Sequence, residues 1–306
     1  MGLYIARRCA QAALVIVGVS MVVFFLARIA PSDPVTLMLS ETASPQQIAE
    51  ARHYYGFDRP IPYQYWLFIS RAVRGDLGES LYYKQPALGV VMEAFPQTLI
   101  LALAAFALAV GVAVPLGIIA AVRRDTLWDY GAVGIAVIGQ AAPSYWIGIM
   151  LILVFSVRLH LLPTSGNGGP AALILPAITL GAVLMAVLAR LTRAGMLDVL
   201  NEDFIRTARA KGVRERAVLL RHALRNVLIP LVTVMGLQLG TLLGGAVITE
   251  QVFAWPGVGR LAVTAVTSRD YPIIQATVLV VSCVFVVVNL AVDLLYGFLD
   301  PRIRYQ

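Results

Sequence analysis

Residues 201–230 read NEDFIRTARAKGVRERAVLLRHALRNVLIP and lie between two long apolar runs. The cations Arg206, Arg209, Lys211, Arg214, Arg216, Arg221 and Arg225 stand here against the acids Asp198, Glu202, Asp203 and Glu215. A single charge at the centre of a bilayer costs at least about 2.5–3.5 kcal/mol, so this stretch must sit in water. Its positive balance puts it on the cytoplasmic side of a membrane. The first third carries helix punctuation of its own. Asn201 is suited to the N-cap, Glu202 and Asp203 to the first turn, Arg209 and Lys211 to the last, and Gly212 to a left-handed residue after it. The spacing predicts a helix of about 10 residues, roughly 15 Å long. A second basic helical run, Val213 to Ile229, leads to Pro230, which is expected to start or kink the next span. A short charged helix held between two spans is shaped to push, or be pushed by, a cytoplasmic partner. The plainer alternative is a solvated loop that obeys the positive-inside rule.

The composition fits that setting. Of 306 residues, 59% are hydrophobic and 13% charged, and the mean hydropathy is +0.80. Such a chain has too little polar surface to be water-soluble and reads as a polytopic helical membrane protein. The net charge of +7 gathers at the ends of apolar runs, so it is no nucleic-acid footprint. Cys9 and Cys283 both fall in apolar runs, and His53, His160 and His222 are scattered, which argues against a disulfide or a metal site.

Six spans are expected: Cys9–Ala30, Gln97–Val122, Tyr130–Val157, Ala171–Ala189, Leu231–Thr249 and Ile273–Leu299. The third is interrupted at Gln140-Ala141-Ala142-Pro143-Ser144, where Pro143 supplies a cause for tilt or kink. Between the first two spans, Pro31–Pro96 forms a mixed outer segment that begins with a helix capped at Ser44-Pro45-Gln46-Gln47. The segment is rich in aromatics, Tyr63, Tyr65, Trp66, Phe68, Tyr82 and Tyr83, suited to packing this small domain or to the membrane interface. Glu250–Pro272 is expected outside. With both termini in the cytoplasm, 15 of the 24 Lys and Arg residues fall inside. Discounting the long outer segment leaves four outside, as the charge rule requires.

Within the spans, Gly236, Gly240 and Gly244 recur every four residues and predict close helix packing. Gln140, Ser144, Gln238 and Thr241 each need a polar partner or a wet cavity, and are candidates to line a translocation path. Asn289 and Asp293 are the other polar side chains there, and Asp293 lies near the cytoplasmic end of its span. The chain has no phosphate-binding loop, zinc motif or nucleophile elbow. Energy for uphill transport would have to arrive through another subunit, and the basic cytoplasmic helix is the natural point of entry.

Several motifs carry a resemblance. They are Gly56-Phe57-Asp58-Arg59-Pro60 with Gln64-Tyr65-Trp66, Gly75-Asp76-Leu77-Gly78-Glu79-Ser80, Pro143-Ser144-Tyr145-Trp146 and Leu162-Pro163-Thr164-Ser165-Gly166. The most specific are Arg206-Thr207-Ala208-Arg209-Ala210-Lys211-Gly212 with His222-Ala223-Leu224-Arg225-Asn226, then Val252-Phe253-Ala254-Trp255-Pro256-Gly257-Val258-Gly259, and Leu299-Asp300-Pro301-Arg302-Ile303-Arg304-Tyr305. Over nearly its whole length the chain resembles the inner-membrane permease subunits of binding-protein-dependent ABC importers, in the dipeptide, oligopeptide and nickel group. The resemblance implies an all-α fold with a type I importer core in spans two to six. Residues 1–30 would be an added N-terminal span, 31–96 an extracytoplasmic domain and 97–306 the core. It further implies that the loop at about 194–230 is the EAA loop docking on an ATPase, with Ala208 and Gly212 on its pattern and Arg206 where that pattern begins with Glu. The implied partners are a second, similar permease, two ATP-binding cassette subunits and an extracytoplasmic solute-binding protein, in a bacterial cytoplasmic membrane. ATP and Mg would be bound by the ATPase subunits and no cofactor by this chain. The implied cargo is dipeptides or oligopeptides, with nickel chelates or glutathione-like solutes as the alternative. An ATPase-independent carrier or channel, or a scaffold that moves nothing, is the reading from a different class.

Overall fold

The computed structural model describes residues 2–29, 44–54 and 58–299. Residues 31–43 of the outer segment, Gly56-Phe57, the terminal run Asp300–Tyr305 and the side chain of Asp293 lie outside the described residues. Among those described, the regular elements are helices, with one isolated antiparallel bridge between Glu79 and Pro86. In chain order they are α1 (Gly2–Ile29), α2 (Pro45–Tyr54), α3 (Ile61–Ala72), α4 (Ala87–Val122), α5 (Leu127–Ala141) and α6 (Ser144–Leu151), which continues as a π-helical turn, Ile152–Arg158. Then come α7 (Pro170–Leu200), α8 (Asp203–Ala210), α9 (Glu215–Ala217), a second π-helical turn (Val218–Ala223), α10 (Leu224–Val252), α11 (Val258–Thr267) and α12 (Tyr271–Leu299).

Five helices are long and apolar enough to cross a membrane, and six crossings result if the bent pair Leu127–Ala141 and Ser144–Arg158 is one span. The interruption expected at Gln140–Ser144 is a sharp kink, a bend of 113° between the two arms. A proline alone removes one helical hydrogen bond; here both Ala142 (ψ 136°) and Pro143 (ψ 139°) are extended, and two extended residues in succession end one helix and start another. Pro230, expected to start or kink its span, does not start it. It lies inside α10, and the helical run is continuous from Glu215 to Val252. Within a membrane, neighbouring helices sustain a span through a missing bond.

Chain contacts divide the molecule into two compact units, Met1–Pro96 with Gly257–Leu290 and Gln97–Pro256 with Ala291–Gln306. In the first, Ala87, Val90 and Val91 pack with Val258, Ile273 and Ala276 into an apolar core. Beside it the buried Asp270 caps α12. Its carboxylate accepts bonds from the Ser80 hydroxyl (2.5 Å), the Tyr82 amide (3.1 Å) and the Ile273 amide (3.3 Å), so the outer loop is tied to the start of the last helix. The expected cap at Ser44 is present as a reciprocal pair, Ser44 N–H to Gln47 Oε1 (2.8 Å) and Gln47 N–H to Ser44 Oγ (3.3 Å).

In the second unit glycines set how closely helices approach. A Cβ on Gly181 of α7 would stand 2.8 Å from the Ala105 carbonyl oxygen of α4, and one on Gly117 of α4 would stand 2.7 Å from the Ala189 oxygen of α7. Both contacts advance in the same direction along the chain, so α4 and α7 run parallel, as spans two and four must. Gly195 meets Val227 of α10 at 2.7 Å by the same measure, and Gly245 meets Leu180 at 3.6 Å. Here α7 and α10 run antiparallel. At the far end of α10, the Trp255 ring donates to the Gln97 carbonyl (2.9 Å) and Gly166 N–H donates to the Phe253 carbonyl (2.9 Å). The motif around Val252–Gly257 is thus a packed corner, with Phe253 and Trp255 buried.

Candidate functional site

The basic stretch becomes a projecting arm. α7 has 31 residues and the run Glu215–Val252 has 38. At 1.5 Å per residue these are about 46 and 57 Å long, against a hydrocarbon core of about 30 Å. The excess length carries Arg190, Arg193 and the 201–225 cations beyond the apolar layer, with α8 bridging the two helices at the tip.

α8 is shorter than its punctuation suggested, and its cap lies elsewhere. Asn201 has helical dihedrals, and its amide donates back to the Leu197 carbonyl at 2.9 Å, so it closes α7. The extended N-cap geometry falls on Glu202, whose side chain makes no capping bond. An Asn side chain can bond a carbonyl four residues back as well as cap forward, and here the backward bond is the one made. The other end is as expected: Gly212 has φ +73°, its N–H bonds to the Arg209 carbonyl (2.9 Å) and Val213 N–H reaches Ala208 (3.2 Å).

Along α8 only Ile205 and Ala208 are buried, 0% and 8% exposed. They sit one turn apart and face the π-helical turn Val218–Ala223, itself anchored by the buried Val218 and Ala223. All other residues of α8 are exposed, including Asp203, Arg206 and Arg209, with Glu202 and Lys211 exposed beside them. Arg209 makes a two-pronged contact with Glu215 (2.7 and 3.2 Å), which closes the turn after α8, and Arg206 reaches Asp203 at 3.2 Å. Phe204 is also half in solvent, 44% exposed. It is a large apolar side chain on a polar helix, missed in the sequence because it adjoins the buried Ile205.

The base of the arm is held by a pair that sequence reasoning also missed. Asp129, in the first turn of α5, receives Arg193 of α7 through Nε at 2.5 Å and Nη2 at 2.7 Å, and accepts the Asp125 amide at 3.1 Å. Asp129 is 2% exposed and Arg193 27%. The contact puts the start of α5 and the end of α7 on one side of the membrane. A second buried acid, Glu250, is 0% exposed and accepts the Thr98 hydroxyl at 2.6 Å, joining α10 to α4. Glu250, expected at the start of the outer stretch 250–272, is the third residue from the end of α10.

The path candidates divide into two pairs. Gln140 (exposed) and Ser144 (half-buried) flank the elbow between α5 and α6. On α10, Thr241 donates to the Gln238 carbonyl at 2.8 Å, with Thr241 exposed and Gln238 half-buried. α6 packs on α10, yet among the described residues no hydrogen bond joins the two pairs. Of the periodic glycines, Gly236 and Gly240 are buried, whereas Gly244 is exposed and a Cβ there would meet nothing within 4 Å. The packing expected at Gly244 is not made within this chain, because that face of α10, with Leu237, Thr241 and Ile248, is turned outward.

Comparison with known proteins locates this geometry. Residues 113–305 match the family described as binding-protein-dependent transport system inner membrane component, and residues 1–102 match the model for the N-terminal part of such membrane components. The glutathione transport system permease protein GsiC of Escherichia coli K12 is 47% identical over 94% of both chains. The di/tripeptide transport system permease protein DppB of Pseudomonas aeruginosa UCBPP-PA14 is 41% identical over 99% of both. Among solved structures, two inward-facing crystal forms of the MetNI methionine ABC transporter share the fold at 17% and 19% identity. Their TM-scores are 0.58 and 0.55, covering 70% of this chain and 98% of the matched chain.

Proposed function

The chain belongs to the binding-protein-dependent transport system inner membrane component family, and from that membership we propose that α8 couples it to a separate ATPase. The chain is a multi-pass inner-membrane permease subunit of an ATP-driven ABC importer, working with ATPase and solute-binding partners. The observation that supports the coupling role is the burial pattern of α8. Two residues hold it to the arm, and every other side chain, Phe204 included, is offered to solvent.

In this reading Phe204, Arg206 and Arg209 enter a groove of the ATPase subunit, while the Gly212 turn and the Arg209–Glu215 contact keep α8 at a fixed angle to the helices. Nucleotide-driven closure of two ATPase subunits moves α8, and through it α7 and α10. The assembly alternates between inward- and outward-facing states because ATP favours one of them. This chain supplies half of the path beside a second, similar permease, with Gln140, Ser144, Gln238 and Thr241 as its polar lining. It binds no cofactor and catalyses no reaction itself; ATP and Mg belong to the ATPase subunits. Both termini lie in the cytoplasm, as the charge balance favours. The cargo is a short peptide, either a dipeptide or oligopeptide. A glutathione-type tripeptide is the second reading, favoured by the 47% identical relative.

The test is uptake and ATPase activity of the reconstituted importer. Gly212→Pro, or joint reversal of Arg206 and Arg209 to Glu, leaves the chain inserted, abolishes uptake and frees ATPase activity from the loaded binding protein. Phe204→Ala weakens coupling without touching local charge. Wild-type uptake by these variants refutes the role.

A further inference from the structure

α3 has no part in coupling or in the path, yet it is the described outer helix with the most unusual surface. It has 12 residues, about 18 Å of helix, too short for a membrane about 30 Å thick. One face is fixed to α1. The Phe24 ring meets Tyr65 at 5.3 Å and Phe68 at 5.7 Å between centroids. Ser20 gives its hydroxyl proton to the Val17 carbonyl at 2.7 Å, so the Tyr65 hydroxyl donates to Ser20 Oγ at 2.8 Å. Ser20 and Phe24 occupy the last turns of the apolar stretch Arg7–Phe25, at the end remote from Arg7 and Arg8. α3 is therefore held at the depth where α1 leaves the hydrocarbon.

The rest of α3 is what that depth requires. Ile61, Tyr63 and Trp66 are exposed, Trp66 at 69%, and Val73 follows just after the helix at 83%. A water-facing helix scatters such residues singly, whereas here they cluster in about three turns. Their flanks are cationic: Arg59 lies 6.0 Å from the Tyr63 ring centroid, and Arg71 and Arg74 are exposed at the other end. Rings with one apolar and one wet side, bordered by arginines, suit the layer of glycerol esters and anionic phosphates.

We propose that α3 is an in-plane membrane anchor whose Tyr63, Trp66 and Val73 insert among phospholipid headgroups of the leaflet where α1 ends. Its occupant is the lipid surface, in preference to the solute-binding protein or the second permease. The proposal rests on the reading of α1 as a span, and on the proposed orientation only for naming that leaflet the outer one.

Nitroxide labels test it in the complete importer, with Cys9 and Cys283 replaced by Ser, in phosphatidylethanolamine–phosphatidylglycerol bilayers. Labels at Trp66→Cys and Val73→Cys are expected to collide several-fold more with oxygen, relative to a water-soluble nickel chelate, than a label at Gln46→Cys on α2. Adding the solute-binding protein is expected to change neither ratio. Ratios equal to that at Gln46, or shielding from both reagents by a protein partner, overturn the proposal. A label at Leu14→Cys, exposed on α1, tests the premise separately: oxygen-rich collisions at 14 with water-like collisions at 66 defeat the anchor and leave the span intact.

Discussion

Replacing Asp129 by Asn removes one charge from the contact that joins α5 to α7 and keeps its size. At 2.7 Å and an effective dielectric of 20, the attraction of Asp129 for Arg193 is about 6 kcal/mol before desolvation is subtracted. Breaking a fully buried pair by removing one partner costs about 3–5 kcal/mol. Arg193 is 27% exposed, so water recovers part of its charge, and we expect a loss of about 2–3 kcal/mol. At about 2–4 °C per kcal/mol, the melting temperature falls by about 4–12 °C. Thermal unfolding of the purified importer in detergent, followed by tryptophan fluorescence, reads this directly. Arg193→Gln leaves the 2% exposed Asp129 carboxylate without its partner and should cost more, about 3–5 kcal/mol, and the double variant clearly less than the sum of the two. Additive losses, or a shift below about 1 °C for Asp129→Asn, would show that the contact contributes nothing to holding the arm.

Gly181→Ala places a Cβ 2.8 Å from the Ala105 oxygen, and the backbone must yield. The overpacking cost is about 1–3 kcal/mol, read as a lower melting temperature; unchanged melting would mean that α4 and α7 are not in close contact. Gly244→Ala meets nothing within 4 Å and should melt no lower than the parent, whereas Gly244→Leu should reduce co-purification of the second permease if this face of α10 forms their seam. Full recovery of the partner with Leu at 244 removes that seam. Glu250→Gln weakens the bond from Thr98 and should cost about 2 kcal/mol. Thr98→Val should cost less beside Glu250→Gln than it does alone, and equal losses in the two backgrounds would show that the two side chains act independently.

What the sequence made legible was local. Glycine at 212 had to be left-handed because the helix ends there, Ser44 and Gln47 stood at capping distance, and apolar run length with arginine placement located the spans. What it hid depends on the crossing of distant helices. Asp129 and Arg193 are 64 residues apart, and Thr98 and Glu250 are 152 apart. Neither acid has a neighbour in the chain that announces its partner. The glycines at the closest approaches, Gly117, Gly181 and Gly195, share no period, because a crossing point is set by the angle of two helices. The periodic set at 236, 240 and 244 has its third member turned outward. At the elbow the signal was present, because a residue before proline is disfavoured in the helical region, but the size of the bend depends on what the two arms pack against.

The elbow has a consequence for the electrical character of the bilayer's interior. The amides of Ser144, Tyr145 and Trp146 open α6 and have no carbonyl one turn back to bond, while the last carbonyls of α5 lose their donors at the same place. Hydrocarbon cannot satisfy these groups. Molecules of solvent, or polar groups from elsewhere in the importer, must therefore reach them, and isotope exchange at Ser144–Trp146 should track the cycle, fast when the elbow is wetted and slow when it is sealed.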